Sequence, residues 1–458
     1  MRVFLLYGSG GGGHRSSAIA LKDCLLHVQP GWSVDMHDAS AIVDAAFGDK
    51  IYNFLMEANL LGLMPVVYGV VRLTQPLLSG AHRACFDSFF RKHGVPDIVV
   101  SFVPFLNYAL CESIPKRNYN THVITVVTDF SSSRAHPWIQ HPRQILCCGT
   151  QQLYEQALSL GFREDRVVRL SGMVVHPRFY MEEPDVHSHD FMSSMFVNGW
   201  TTKGRTWLVT FGGTSPTALT KSIVRALVTT TEEKLNVIVV CGQNLFLEMQ
   251  LQHLNLPRVA VLGFRKDMPK LMQCADVVLG KPGPGIVSEA MVTRKPVVLF
   301  CPDSSVMPQE REVMRWVVQN RVGVVVHNLL ELEALSNNLS RISELQTNVN
   351  ALPANRAVFE VSNLVMDLDF LNAMAHKYMT ISTSVSVQDE IGICEEYKSP
   401  PTPTDAQSSN ASKHAPSSVC TDTEQGLVSA DHARLLRRLL SRDRHALLRS
   451  RHTALCLL

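Results

Sequence analysis

A glycine-rich loop followed by a histidine opens the chain and offers its first chemistry. The strand-like run 3–7 leads into Gly8, Gly10 and Gly13, and His14 stands at the exit of the loop, before a helical pattern. Backbone N–H groups at a helix start attract anions such as phosphate, and a histidine there can exchange a proton near neutral pH. The stretch predicts either a site for an anionic ligand or a tight turn that packs a helix on a sheet.

The same loop permits a dinucleotide-binding interpretation. Its glycines match G-x-G-x-x-G, and Asp35, which lies 22 residues past Gly13 in the second strand-like run, takes the acidic position. A P-loop is excluded, because His14 and Arg15 occupy the places of its Lys and Ser/Thr. An NAD(P)-dependent oxidoreductase therefore stays open as an alternative that the loop alone does not decide.

Three further glycine turns follow apolar strands in the second half of the chain. They contain Gly212 and Gly213, then Gly242, then Gly283 and Gly285. The third turn opens a helix, whose first N–H groups can hold a diphosphate. Glu289 lies one turn into that helix, where its carboxylate can accept hydrogen bonds from two ribose hydroxyls. Three such turns at strand ends of one domain predict a nucleotide-sugar donor site.

Three motifs together resemble one enzyme family. They are GGGGHRSSA at the N-terminus, KPGPGIVSEAM, and MPQEREVMRWVVQNRVG. They are similar to motifs of the monogalactosyldiacylglycerol synthase and processive diacylglycerol glucosyltransferase family, itself distantly like the bacterial transferase that adds N-acetylglucosamine to lipid-linked muropeptide. The resemblance covers roughly residues 3–370. It implies a GT-B fold and inverting transfer of galactose or glucose from a UDP-sugar to diacylglycerol or a related lipid, without an obligatory metal.

The resemblance also implies roles for individual residues. His14 becomes the first candidate for the general base, and Asp129 becomes the second candidate or the group that orients the base. The expected donor-binding residues are Gly212, Gly213, Gly242, Phe264, Gly283, Gly285, Glu289, Gln309 and Glu310. The expected acceptor or membrane residues are Gly12, Gly13, Trp138, Arg72, Arg91 and Lys92.

The chain departs from the family pattern at several positions. Ser9 replaces an Asp, Val103 replaces the His of a His-Pro pair, and Val313 replaces an Asn four positions after the Gln. A Pro-x-Arg triplet near the end of the first domain reads 174–176, Val-Val-His. We expect Val313 to remove a hydrogen bond to a sugar hydroxyl and so to alter sugar choice. These losses support a second alternative, a UDP- or lipid-binding relative without turnover; a UDP-sugar hydrolase or epimerase on the same fold is a third.

The strands that must position these residues fall into two sets. The first set lies at 3–7, 97–103, 122–127 and 144–149, and the second at 206–211, 236–242, 259–263, 276–280, 296–300 and 323–327. Continuous apolar strands between helices indicate parallel sheets covered on both faces. We predict an α/β chain of two Rossmann-like, doubly wound domains facing a cleft, with ligands at the carboxyl ends of the strands.

The predicted boundaries follow from changes in composition. Residues 1–180 form an acceptor and membrane-binding domain, 181–204 a polar linker, and 205–352 the UDP-sugar domain. A helix over 353–376 is expected to cross back to the first domain, and 377–458 is expected to be a low-complexity, disordered tail without a core. Within this tail, the basic, leucine-spaced segment 433–452 is either a solvated tail or a helix on an anionic membrane.

Composition narrows the classes of partner. The 458 residues are 46% apolar and carry a formal net charge of +2, so we expect no nucleic-acid partner. The 11 cysteines lack C-x-x-C spacing and are expected to be reduced thiols rather than zinc ligands. No secretory signal is expected at the N-terminus.

The most apolar stretch, 54–80, is interrupted by polar residues and Pro65. We interpret it as an interfacial segment or a core helix, not a spanning one. Basic residues after it, Arg83, Arg91, Lys92 and His93, are placed to face anionic lipid. Trp138 is expected at the same interface. We expect peripheral, monotopic membrane association, at the plastid envelope in a photosynthetic lineage and otherwise at the cytoplasmic face of a membrane.

Overall fold

The computed structural model describes ten segments of the chain. They are residues 1–8, 12–43, 64–114, 121–131, 136–181, 189–196, 199–201, 204–229, 235–302 and 308–389, without the side chains of 64–77, 189, 308 and 374–389. Contacts divide the chain into two units, Met1–Met366 and Asp367–Leu458. Both sheets lie in the first unit.

The first sheet has six parallel strands in the order β2-β1-β3-β4-β5-β6. The strands are β1 (Arg2–Tyr7), β2 (Ser33–Asp38), β3 (Ile98–Phe102), β4 (His122–Val126), β5 (Gln144–Cys148) and β6 (Val167–Arg169). The helices among them are α1 (Gly13–Val28), α2 (Ala39–Ile42), α3 (Met64–His93), α4 (Asn107–Ser113) and α5 (Gln151–Ser159). Every residue of β3 and β5 is buried, as expected for central strands of a sheet covered on both faces.

The second sheet has the order β12-β11-β10-β7-β8-β9 and is also parallel. Its strands are β7 (Thr206–Thr210), β8 (Asn236–Val240), β9 (Val259–Leu262), β10 (Val277–Gly280), β11 (Val297–Phe300) and β12 (Gly323–Val326). After the short α6 (His189–Met195), its helices are α7 (Thr217–Thr229), α8 (Leu245–Leu254), α9 (Met268–Cys274), α10 (Pro284–Val292), α11 (Pro308–Gln319), α12 (Leu329–Ser336) and α13 (Leu339–Asn350). Two doubly wound sheets of this kind are the GT-B architecture that the sequence predicted.

Each sheet reverses its strand order at one point. In the first sheet the reversal lies between β1 and β3, and in the second it lies between β7 and β10. In open parallel sheets, outgoing loops diverge at such a point and leave a crevice for a ligand. The loops after β1, β7 and β10 are those in which the sequence placed its glycine motifs.

The last described helix, α14 (Ala357–Asp389), begins in the first unit and continues into the second. Its first turn packs on α1, where Val358 forms a buried cluster with Ala20 and Cys24. The rings of Tyr180 and Phe359 meet edge to face, with their centroids 5.2 Å apart. Within the first unit, the chain therefore returns from the second sheet to the helix that follows the N-terminal glycine loop.

Three details differ from the sequence expectations. The short strand β6 was not predicted. The predicted linker contains α6, and Met192 and Phe196 are buried in the core of the second sheet, so that stretch is partly core. Residues 377–389 are helical rather than irregular, because a helix already nucleated at Ala357 extends through a stretch without Gly or Pro. The rest of the predicted tail, from 390, lies outside the described residues, and the domain boundaries stay predictions.

The apolar stretch 54–80 is described only from Met64, where α3 begins with Pro65 in its first turn. Proline is well tolerated there, because a first-turn N–H has no partner within the helix. Further along α3, Phe86 and Phe90 are buried against the first sheet, whereas Leu78 is exposed. Among the described helices, none is both long and apolar enough to cross a bilayer.

Two substitutions in α3 measure how strongly its packed end stabilises the first domain. Phe86 is 0% exposed, so Phe86→Ala should lower the free energy of unfolding by about 3–5 kcal/mol through lost burial and a cavity. Leu78→Ala, at a position 46% exposed on the same helix, should change it by less than about 0.5 kcal/mol. Urea unfolding followed by circular dichroism measures both; equal effects would contradict the packing.

Candidate functional site

The glycine loop after β1 ends at the start of α1. Gly12 caps the helix with φ at +78°, a left-handed conformation that suits glycine, and Gly13 is the first helical residue. Both are exposed. Gly8 is buried beside Val103, so that an added Cβ would lie 3.5 Å from Val103 Cγ1. Ser9, Gly10 and Gly11 lie outside the described residues, so the predicted contact of the loop with an anion stays a prediction.

His14 lies in the first turn of α1 and faces the end of β4. Its Nδ1 is 2.9 Å from Oγ1 of Thr128, and the donor of this hydrogen bond depends on the tautomer of the ring. If Nδ1 carries the proton and donates to Thr128, then Nε2 is the basic nitrogen. If Thr128 instead donates to Nδ1, then Nε2 carries the proton, so the direction of this hydrogen bond decides which nitrogen of His14 is basic.

Trp138 lies between the two candidate bases. Its ring centroid is 5.6 Å from that of His14, and its indole N–H donates to Oδ2 of Asp129 over 2.8 Å. Trp138 is 0% exposed, so the expectation of a membrane-interface tryptophan is wrong. The sequence pattern did not reveal that a nearby carboxylate satisfies its polar N–H, which permits full burial.

Burial controls the protonation of Asp129. It raises the pKa of the carboxyl from 3.8 to about 6, and the hydrogen bond from Trp138 acts in the opposite direction. A carboxylate with a pKa near 6 is a better proton acceptor than an ordinary Asp at neutral pH. The structure therefore brings His14 and Asp129 into one cluster.

The dinucleotide interpretation does not fit the place of Asp35. This residue pairs with Phe4 in the middle of β2, not at the carboxyl end of the strand. Its carboxylate accepts from the hydroxyl of Ser33 over 3.0 Å and lies 3.7 Å from Nε of Arg2. Asp35 is thus directed away from the strand end where the ribose of a dinucleotide would bind.

The two glycine turns after β7 and β8 are joined to each other. Thr214 and Gly242 form an antiparallel bridge, and the N–H of Gln243 donates to the carbonyl of Gly213 over 2.9 Å. Gly212 and Gly242 have φ values of +90° and +63°. A Cβ on Gly242 would lie 2.3 Å from that same carbonyl oxygen, so only glycine fits.

The third turn presents a helix start beside a lysine. Gly283 caps α10 without a side chain, Gly285 has open space at its Cβ position, and the first turn contains no acidic residue. Lys281 lies between the turns, since a Cβ on Gly212 would be 4.0 Å, and one on Gly283 3.8 Å, from its Cε. A helix N-terminus with an adjacent ammonium group is suited to a diphosphate. Lys281 was not among the residues predicted from the sequence, although its position between β10 and the glycines was a usable signal.

Glu289 lies in α10, one turn past Gly285, and is half-buried. Burial raises the pKa of its carboxyl to about 7, while the positive charge of Arg178 acts in the opposite direction. Arg178 itself donates to the carbonyl of Lys266 over 3.1 Å. A carboxyl held near its titration point in this crevice is a good candidate for binding hydroxyl groups.

The remaining donor candidates lie at the same edge of the second sheet. Phe264 follows β9 and is 60% exposed, so it is not a core residue. Gln309 is half-buried and Glu310 is 5% exposed in the first turn of α11. The predicted contacts of these residues with uracil and sugar stay predictions.

Two positions that depart from the family pattern are buried. Val313 is 0% exposed and packs with Val317 into the core of the second sheet, so the expectation that position 313 faces the sugar is wrong. Residues four apart share a helix face, and on α11 this face is turned inward. Val103 is 3% exposed beside Gly8, near the predicted acceptor side.

The predicted membrane-facing cations have different environments. Arg91 and Lys92 are exposed at the end of α3, while Arg83 pairs with Asp87 and Glu112. The ring of His93 stacks on Phe89. Arg72 lies in α3, but its side chain is outside the described part of the chain.

Comparison with known proteins agrees with this fold. Residues 207–367 match the glycosyltransferase family 28 C-terminal domain. Monogalactosyldiacylglycerol synthase 2, chloroplastic, from Arabidopsis thaliana is 24% identical over 410 residues, which is 84% of each chain. The crystal structure of Acinetobacter baumannii MurG has a TM-score of 0.52 at 15% identity and covers 80% of this chain and 99% of its own. The S. aureus MnaA–UDP co-structure has a TM-score of 0.51 at 13% identity, over 80% of this chain and 95% of its own.

The fold and the matched domain define the class of this chain as a GT-B glycosyltransferase. Its similarity to a monogalactosyldiacylglycerol synthase extends across both sheets, well beyond the family 28 domain. The resemblance to that family, drawn from three motifs, is confirmed.

Gly242 and Gly213 form a matched pair for testing the donor turns. Gly242→Ala should cost at least about 1–2 kcal/mol of stability, the price of a left-handed residue with a Cβ, and should weaken UDP binding because it separates the two turns. Gly213→Ala has open space at its Cβ position and should be nearly neutral for stability. Calorimetric UDP titration and thermal unfolding measure both. Equal UDP affinities for the two variants would contradict this assignment.

The pKa of Asp129 predicts a pH-dependent stability. With a folded-state pKa near 6 and an ordinary value of 3.8, the carboxyl favours folding below about pH 4, and this contribution is lost as the pH rises through 6. Asp129→Asn should therefore stabilise the protein at pH 8 but not at pH 4. The pKa difference of about two units limits this stabilisation to about 3 kcal/mol, and the partial exposure of the carboxyl reduces it further.

Urea unfolding of the wild type and Asp129→Asn at both pH values measures this difference. A variant less stable than the wild type at pH 8 would contradict the buried-carboxylate assignment.

Proposed function

We propose that this chain transfers galactose or glucose from a UDP-sugar to the hydroxyl of diacylglycerol or a related lipid. The observation that carries the proposal is the pairing of two sites at strand-order reversals, one with a proton acceptor and one suited to a diphosphate. The reversal between β1 and β3 holds His14, and the reversal between β7 and β10 holds Lys281 and the start of α10. The choice of galactose or glucose is based on the family resemblance and on the Arabidopsis relative, which is named as a monogalactosyldiacylglycerol synthase.

The donor nucleotide is proposed to lie across the turns of the second sheet. The N–H groups at the start of α10 and the ammonium group of Lys281 would bind its diphosphate. Glu289 would accept hydrogen bonds from the ribose hydroxyls. An ionised Glu289 accepts best, so with its pKa near 7 we expect the affinity for UDP to fall as the pH drops below 7.

The chemical step is a single displacement. The lipid hydroxyl oxygen forms a bond to the anomeric carbon as the bond from that carbon to the diphosphate oxygen breaks, and the electron pair leaves with UDP. The hydroxyl proton passes to Nε2 of His14 when Nδ1–H donates to Thr128. Asp129 is the alternative acceptor of this proton. Lys281 and the start of α10 would stabilise the charge on departing UDP, and we propose that no metal ion is obligatory.

Attack on a lipid hydroxyl must occur at a membrane surface. We propose peripheral association through the first domain, with the exposed Arg91 and Lys92 at the end of α3 facing anionic head groups. The chloroplastic name of the Arabidopsis relative supports a plastid membrane, if the organism has plastids.

The test is UDP release by purified protein with UDP-galactose and UDP-glucose, each with and without diacylglycerol vesicles. We expect release that requires the lipid, yields a glycolipid, and continues in the presence of a chelator. His14→Ala should lower kcat by about a hundredfold or more, as expected for the loss of a general base. His27→Ala, exposed at the far end of α1, is the matched control and should keep wild-type activity.

Each of the other outcomes would indicate a different function or a different catalytic residue. UDP binding without lipid-dependent turnover would identify a binder without catalysis. UDP release without a glycolipid would identify a hydrolase. Full activity of His14→Ala would move the role of general base to Asp129.

A further inference from the structure

The segment Thr128 to Ser131 connects the proton-accepting cluster to the second domain. Thr128 and Asp129 contact His14 and Trp138 within the first domain, as described above. Phe130 and Ser131 instead contact α11, the helix that begins with Gln309 and Glu310. Four consecutive residues thus link a candidate base to the helix predicted to bind the donor sugar.

The polar part of this link is centred on Glu312. Ser131 is 0% exposed, and its hydroxyl donates a hydrogen bond to Oε2 of Glu312 over 2.8 Å. The amide of Gln152 donates to the same oxygen over 3.2 Å, from the first turn of α5 in the first domain. Arg315, one turn along α11, donates to both carboxylate oxygens. Hydrogen bonds to a carboxylate are stronger than those between neutral groups, so the two bonds from Ser131 and Gln152 make Glu312 an anchor between the domains.

The apolar part of the link is an aromatic pair. The rings of Phe130 and Trp316 meet edge to face, with centroids 5.2 Å apart and planes at 86°. Phe130 is buried within the core cluster of the second sheet, although it follows a strand of the first. Its carbonyl oxygen accepts a hydrogen bond from Thr150, the residue that caps α5. The backbone next to Asp129 is therefore fixed from both domains.

We propose that Glu312 and Trp316 are positioning residues for the transfer reaction, holding the segment 128–131 against the donor domain so that its candidate base meets the bound sugar. This inference rests on the proposed function. Neither residue needs to touch substrate: α11 is one rigid helix, so its contact with the segment fixes the distance between the sugar end of the helix and Asp129. Small displacements at a reacting centre are costly, since about 1 Å can lower the rate by about a hundredfold.

The kinetic test compares substitutions on one helix. Glu312→Ala should lower kcat by about ten- to a hundredfold while the KM for UDP-sugar changes less than about threefold, because the donor turns are untouched. Glu312→Gln keeps an oxygen for Ser131 and should recover most of the lost rate. Arg315→Ala is the matched control: it removes a partner of Glu312 but leaves the contact with Ser131, and it should stay within about twofold of wild type.

Non-additivity tests whether Ser131 and Glu312 act through one contact. Ser131→Ala combined with Glu312→Ala should lose no more activity than Glu312→Ala alone. A general loss of folding would also lower the apparent kcat, because less of the protein is folded, but it would lower the unfolding midpoint as well, and Glu312→Gln would not rescue it. If the double variant lowered kcat by the product of the factors measured for the two single variants, the inference would be overturned.

Hydrogen exchange provides a readout that does not depend on turnover. Peptides covering 121–131 should exchange faster in Glu312→Ala than in wild type and at the wild-type rate in Arg315→Ala. If the wild type makes no glycolipid, the proposed function fails, and unchanged exchange in Glu312→Ala would show separately that the link does not hold the segment. Faster exchange with an unchanged kcat would overturn the positioning role while leaving the proposed function intact.

Discussion

Parallel pairing of the strands in both sheets determines where the glycine loops and the candidate base of this chain lie. In a parallel sheet every outgoing loop emerges at the same edge, and a reversal of strand order separates two neighbouring loops there. Both sheets of this chain contain one such reversal, after β1 in the first and between β7 and β10 in the second. The histidine, the glycine turns and the lysine owe their positions to these two edges, because each follows a strand that ends there.

Burial changes the acid–base properties of two carboxyl groups that would have ordinary pKa values on a surface. The carboxyl of Asp129 has its pKa raised to about 6, and that of Glu289 to about 7, by loss of solvent rather than by a nearby negative charge. One neighbouring residue favours the ionised form of each carboxyl. Trp138 donates a hydrogen bond to Asp129, and the positive charge of Arg178 acts on Glu289. The fold thus places one carboxyl with a raised pKa on the acceptor side of the proposed reaction and one on the donor side.

Later parts of the chain contact the first domain at two places. Near the start of α14, the N–H of Ser171 donates to Glu360 over 2.8 Å, and Asn355 donates to the carbonyl of Met173 over 2.9 Å. The second connection joins α11 to the end of β4 through Glu312 and Phe130. The first lies where the chain returns to the first domain, and the second lies next to the proposed chemistry. A domain arrangement fixed at both places is suited to a reaction whose partners bind on different domains.

Most of the strands, the glycine turns and the resemblance to an enzyme family could be predicted from the sequence, because buried parallel strands form continuous apolar runs and a nucleotide needs close backbone approach. It could not show that Trp138 and Val313 are buried, since an aromatic or apolar residue has the same local pattern at an interface and in a core. Nor could it bring Lys281 to Gly212 or Ser131 to Glu312, which are 69 and 181 positions apart. Such pairs depend on strand order and domain packing, which local sequence patterns do not specify.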